Sequence, residues 1–470
     1  VIDWLQHSTG GLLTLAVVSI AVLLLLIIRF KVEPFIALIV VALGVALAAG
    51  VPTETLVGSA QKASDSLLEK GFGGILGHIT AIIGLGTLLG AILEASGGAQ
   101  VLMDKLMHAF GEKRAPVAIG LAGLIFGVPV FFDIGIFVLA PLVYVAAKRS
   151  GKSIVLFSMP LLAGLSVMHA FMPPHPGPVA AAGLLKVSLG WIIIMGLAVA
   201  IPSWFVGGVL YSYWIGKRID VPVPEEMLVA AKSIGHEQAK ADNGDREPPS
   251  LGLVLSIIGL PLVLILAGTF GSILLQKGSR AYSVATFFGT PAVALTIAVL
   301  LAFWLLGFRR GMTRDKIAEM AGASLRPVAM ILLVVGAGGF FGAVLAATGI
   351  GKTLAGELSD LGLPVIALAY VISCVIRIAQ GSATVAIVTT AGIVAPVVSD
   401  LHYSQPQLAL VVMAIASGSI IASHVNDGGF WIVSRYFGLS VKETLQSWTV
   451  LETILSVVGF VVAALLSLVV

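Results

Sequence analysis

Two segments of this chain interrupt apolar, uncharged sequence with proline, glycine and ionisable side chains. The first is Val167-Met168-His169-Ala170-Phe171-Met172-Pro173-Pro174-His175-Pro176-Gly177-Pro178; the second is Ser423-His424-Val425-Asn426-Asp427-Gly428-Gly429-Phe430. At bilayer depth, broken backbone and titratable groups are costly unless protein encloses them. Two such breaks at corresponding places in the two halves of a chain mark the binding site expected of a transporter.

Composition places these breaks in a membrane. Of 470 residues, 58% are hydrophobic and 11% charged, against about 25% charged in a soluble domain. Apolar runs of spanning length, roughly 20 residues, begin near Gly11, Pro34, Ile75, Trp191, Leu251, Phe287, Pro327, Gln407 and Thr449. The stretches 116–147, 154–185 and 364–398 are too long for one span and carry Gly or Pro inside, so each should hold two helices or a helix with a re-entrant hairpin. An all-α polytopic fold with about 12–14 membrane segments follows. The first run has no basic leader and is expected to be a retained helix. The lone Cys374 gives no disulfide framework and no cysteine metal site, and the net charge of +3 offers no footprint for nucleic acid.

An internal repeat is legible. Residues 86–97 (GTLLGAILEASG) align without gaps on residues 338–349 (GGFFGAVLAATG), with 6 of 12 positions identical. Pro116-Val117 and Pro364-Val365 then open the next apolar run in each half. Basic residues cluster at Arg29/Lys31, Lys113/Arg114, Lys148/Arg149, Lys217/Arg218 and Arg309/Arg310, which the positive-inside rule makes cytoplasmic. On that reading the first repeat helix exits to the cytoplasm and the second starts there, so the repeats have inverted topology. The expected division is 1–74 as N-terminal scaffold helices, 75–215 as the first repeat and 216–250 as a cytoplasmic linker. Central scaffold helices over 251–325 and a second repeat over 326–470 complete it.

Asp133 stands alone in Val130-Phe131-Phe132-Asp133, and Asp427 precedes a Gly-Gly pair. A carboxyl at bilayer depth is expensive as an anion and tends to take up a proton, so both are candidate proton-coupling residues. His169, His175 and His424 are three of the chain's 8 histidines and suit proton transfer or hydrogen bonding to hydroxyls. Pro174 and Gly177 shape the first break, and Asn426 and Gly428 the second. The third constellation is Arg377-Ile378-Ala379-Gln380-Gly381-Ser382-Ala383-Thr384. Its guanidinium matches a carboxylate, and Gln380, Gly381, Ser382 and Thr384 offer an amide, close backbone and hydroxyls at a helix opening. The bland alternative is that Arg377 pairs internally with Asp133 or Asp427. No His-Glu-x-x-His pattern supports a metal and no cofactor is expected. A membrane hydrolase built on Ser382 and His424 lacks a nucleophile motif, and a passive channel would not need two opposed repeats.

At these motifs the chain resembles the gluconate permease family, the gluconate:proton symporters of bacteria. The likeness is carried by Val130-Phe131-Phe132-Asp133, the run from His169 to Pro178, the run from Arg377 to Thr384, and Ser423 to Trp431. It implies proton-coupled uptake of gluconate or a related sugar acid by a multi-pass protein of the inner membrane. D-serine, another small carboxylate and sodium coupling are the alternatives. A more distant likeness, to carriers with paired hairpins, implies elevator-type motion and a homodimer in the lipid bilayer.

Overall fold

The computed structural model describes residues 2–59, 65–223, 248–326, 328–350, 353, 364–424 and 427–470. Most of the expected linker, together with Pro327 and Asn426, lies outside the described residues. Among those described, every regular element is a helix. Eight are long and apolar enough to cross a membrane, and four shorter apolar helices accompany them, which agrees with the segment number expected from the apolar runs.

Helices α1 (Thr9–Ile28), α2 (Pro34–Ala48) and α3 (Leu67–Ala95) come first, followed by α4 (Gly98–Phe110). Helix α3 begins before Ile75, because Ser66 caps it by accepting from the Glu69 amide at 3.1 Å. It therefore runs through the boundary drawn at residue 75.

The long stretch after Pro116 is two helices, α5 (Ala115–Phe126) and α6 (Phe132–Ser150). The next is α7 (Ile154–Phe171) and α8 (Pro176–Leu184). Helix α7 stops where Pro173 and Pro174 withdraw two amide donors. Helix α8 restarts with Pro176 in its first turn, where a missing donor costs nothing. Helix α9 (Leu189–Ser203) continues through a π-helical stretch. The Ile154–Leu184 window is 94% buried whereas Thr9–Ile27 and Leu251–Leu274 are 35% and 33% buried, so α7 is central and the other two are peripheral.

After the linker come α10 (Leu251–Leu274), α11 (Arg280–Gly289), α12 (Pro291–Ala302), α13 (Arg314–Leu325) and α14 (Val328–Ala347). The run expected near Phe287 is thus two helices that meet at Pro291. The second half then repeats the succession of helix, break, helix: α15 (Val365–Gln380) and α16 (Ala383–Ser399), then α17 (Gln405–Gly418) and α18 (Gly428–Tyr436), with α19 (Val450–Ser467) last.

Small residues let the repeat-bearing helices approach. In α3 and α14, a Cβ on Gly71 would lie 2.8 Å from the Phe340 Cα, and one on Gly339 would lie 2.5 Å from the Gly71 carbonyl. The halves also cross. Helix α8 packs on α16 and α18 packs on α6, so each half's second break is brought to the other half's first.

Candidate functional site

Four helix breaks converge at the middle of the fold. In the first half, Gly127–Phe131 separates α5 from α6, and Met172–His175 separates α7 from α8. His175, only 3% exposed, joins the two: its Nε2 lies 2.7 Å from the Gly127 carbonyl oxygen, so this nitrogen carries the proton. Phe131 packs on both histidine rings, at 6.1 Å from His169 and 5.7 Å from His175, and the two histidines are 4.8 Å apart. The Nδ1 of His169 is buried and has no hydrogen-bond partner among the described residues. Such an orphan is uncommon in a native interior and points to a group that completes it.

Pro174 and Gly177 act by shape. A Cβ on Gly86 would lie 2.5 Å from the Pro174 ring, and one on Gly177 would lie 2.7 Å from Ile387 Cδ1 on α16. Gly177 therefore lets α8 reach the other half, a role visible only once the halves are packed.

In the second half, α15 ends at Gln380 because Gly381 turns into the left-handed region at φ +85°. Ser382 then caps α16, accepting from the Val385 amide at 3.4 Å. Thr384 sits half-buried in the first turn of α16. Of Gln380 only the backbone is described. His424 bridges the second pair of breaks much as His175 bridges the first, with Nε2 2.9 Å from the Ile378 carbonyl oxygen.

Arg377 and Asp427 make the strongest contact of the site. The guanidinium is 5% exposed; its Nη2 donates to Asp427 Oδ2 at 2.5 Å and its Nη1 donates to the Gly381 carbonyl. The internal pairing left open by the sequence is therefore the observed one. Asp427 also accepts from the Ser423 hydroxyl and from the Gly429 amide at 2.9 Å, which caps α18 as Gly428 opens it. Two buried charges in mutual contact, each with further hydrogen bonds, form the arrangement that offsets the cost of taking them out of water. Arg377 Nε remains unpartnered among the described residues.

Asp133 lies in the first turn of α6 and is exposed, with Asp427 as its charged neighbour. Phe132 brings it there: a Cβ on Gly429 would sit 3.4 Å from the Phe132 ring, and Phe132 stacks on Trp448 at 5.4 Å. The site thus unites Asp133, His169, His175, Arg377, Ser382, His424 and Asp427 around the four breaks. Among the described residues, no group of three His, Cys, Asp or Glu side chains is arranged to hold a metal ion.

Sequence reasoning missed three participants. Ser423 donates to Asp427, and Trp448 Nε1 donates to Ser423 Oγ at 2.7 Å. Glu452, 2% exposed on α19, carries a buried Oε1 with no partner among the described residues. A lone Glu inside the apolar run after Thr449 was the available signal for it.

Comparison with known proteins gives a consistent picture. A sequence family described as GntP family permease matches residues 11–469. The inner membrane permease YgbN of Escherichia coli (strain K12) is 43% identical, over 97% of this chain and 98% of its own length. A gluconate permease of Pseudomonas aeruginosa is 41% identical over 97% of each chain. The solved structure of Neisseria gonorrhoeae MtrF superposes with a TM-score of 0.64 at 16% identity, covering 99% of this chain and 96% of that one, a likeness of fold alone. Matched over nearly its whole length, the chain belongs to the GntP family of permeases; it is a multi-pass inner-membrane transporter and not an enzyme.

Proposed function

We propose that this permease imports gluconate or a related sugar acid together with protons, by alternating access. The observation that carries the reading is the buried Arg377–Asp427 pair at the convergence of the helix breaks. A sugar acid is an anion at neutral pH, and its entry against a negative interior costs about 2.3 kcal/mol per 100 mV. One co-transported proton cancels that charge.

The pair offers a direct way to link the two. The guanidinium is held by Asp427. A substrate carboxylate can take the guanidinium only if Asp427 gives it up, and a proton on Asp427 removes the charge that holds it. Proton and anion therefore favour each other's binding through one shared partner, which is thermodynamic linkage in its simplest form. Ser382 and Gly428 are chain neighbours of the pair's partners, His424 bonds the Ile378 carbonyl beside Arg377, and with His169 and Thr384 they are the groups proposed to meet a polyhydroxylated chain. Asp133, exposed beside the pair, is the second proton-coupling candidate. The name of the Pseudomonas relative supports the substrate class.

The matched succession of breaks and the crossed packing of α8 and α18 support inverted repeats. Elevator-type motion and a homodimer complete the proposed reading. The test is uptake of labelled gluconate into proteoliposomes with an imposed inward pH gradient and no sodium. Accumulation that collapses with an uncoupler is expected. Uptake that instead follows sodium, or D-serine in place of gluconate, would replace the coupling or the substrate. Asp427→Asn is expected to abolish uphill uptake while leaving counterflow exchange of substrate.

A further inference from the structure

Glu452 has no part in the scheme above, yet it is among the most completely buried ionisable groups of the described residues, at 2% exposure. It lies on the face of α19 that packs on α7, α9 and α17. Its Oε1 has no hydrogen-bond partner among the described residues. Ser166 of α7 lies beside it, and Arg377 and Asp427 are the charges that face it. It follows Trp448 by four residues, and the Trp448 indole donates to Ser423, which in turn donates to Asp427.

Charge count and hydrogen bonding together assign the proton. Among the buried groups one guanidinium, Arg377, stands against two carboxyls, Asp427 and Glu452, with Asp133 exposed to one side, so the buried part is neutral only when one of the two holds a proton. Asp427 accepts from Arg377 and Ser423 on Oδ2 and from the Gly429 amide on Oδ1, so both of its oxygens already have donors. Glu452 has the Ser166 hydroxyl as a partner but an Oε1 with none among the described residues, and a carboxylate so thinly supported in a buried place is costly. A buried acid that merely packed the core would be better replaced by an apolar side chain of the same volume.

We propose that Glu452 is a proton-carrying residue of the transport cycle, holding in the empty carrier the proton that Asp427 takes when a substrate anion captures Arg377. The step balances. The carboxyl O–H of Glu452 breaks and an O–H forms on Asp427, the incoming anion supplies the negative charge that Asp427 loses, and Glu452 is refilled by one proton from the aqueous phase. That refilling is the coupled proton. The inference rests on the proton-coupled anion reading of the site.

The test uses the full-length protein reconstituted in lipid vesicles. Each imposed pH unit can sustain about tenfold accumulation per co-transported proton. Glu452→Gln, a neutral isostere, is expected to lose that accumulation while retaining counterflow exchange, and to flatten the pH dependence of exchange. Accumulation by E452Q equal to that of the unaltered protein overturns the proposal. Infrared difference spectra on changing pH decide the case in which E452Q loses exchange as well. A protonated-carboxyl stretch present in the unaltered protein and missing in E452Q supports the assignment, and an unchanged band overturns it. Failure of the unaltered protein to accumulate gluconate would instead overturn the functional reading, and the infrared comparison would still decide Glu452.

Discussion

The two halves close their paired breaks with different chemistry. In the first half the bond is neutral: a buried His175 ring nitrogen meets the Gly127 carbonyl, and Phe131 and Pro174 fill the space around it. In the second half it is ionic, Arg377 to Asp427, and the histidine bond from His424 to Ile378 is only an addition. A neutral bond between backbone and imidazole holds shape through every step of a cycle. An ion pair can be traded for another anion. On the proposed reading the buried part of the first half frames the site, and the second half holds its exchangeable charge.

The largest test of that contrast is Arg377→Ala. It leaves Asp427 buried without its partner, which costs about 3–5 kcal/mol in comparable pairs. Uptake of labelled gluconate should fall to background, and Arg377→Lys, which keeps the charge without the two-pronged fork, should restore only a small part. Near-normal uptake by R377A would show that the exchangeable charge lies elsewhere.

On the frame side, His175→Ala strands the Gly127 carbonyl and opens a void. A loss of about 1–3 kcal/mol in stability is expected, read as a lowered melting temperature in detergent, with the pH dependence of any remaining transport unmoved. A shifted pH dependence in H175A would make His175 itself part of the proton path and dissolve the contrast.

Gly177→Ala probes the contact between halves. Its Cβ would meet Ile387 at 2.7 Å, and overpacking of this kind costs about 1–3 kcal/mol. The pair Gly177→Ala with Ile387→Val should recover much of that loss in the same melting assay.

The smallest effect belongs to Trp448→Phe, which keeps the stack on Phe132 but removes the donor to Ser423. One hydrogen bond of about 1 kcal/mol should appear as a few-fold rise in the gluconate concentration for half-maximal uptake, with the maximal rate nearly unchanged.

How much of this was legible beforehand follows from range. Helix breaks are local events. Pro173-Pro174 removes donors and Gly381 adopts positive φ whatever surrounds them, so the sequence showed that 154–185 and 364–398 are each interrupted, while the ends of α7, α8, α15 and α16 came from the structure. Spanning length and charge depletion likewise announce a membrane protein, because the bilayer imposes them on every segment separately. The repeat of residues 86–97 in 338–349 pointed to two related halves for the same reason: it is written in the order of residues.

Partnership is not local. Whether Arg377 meets a substrate or an internal carboxylate depends on where a chain fifty residues further on returns, and only the packing of α17 and α18 against α15 and α6 decides it. Gly177 looked like part of a binding loop until α16 was seen to press against it. Glu452 could not be distinguished from an interfacial charge, since burial belongs to the assembled helices and not to the run that contains it. The sequence by itself determined the medium, the helices and the places where they break. The tertiary structure alone decided which buried charges face each other, because electrostatic contact in a membrane interior is set by distances that only folding creates.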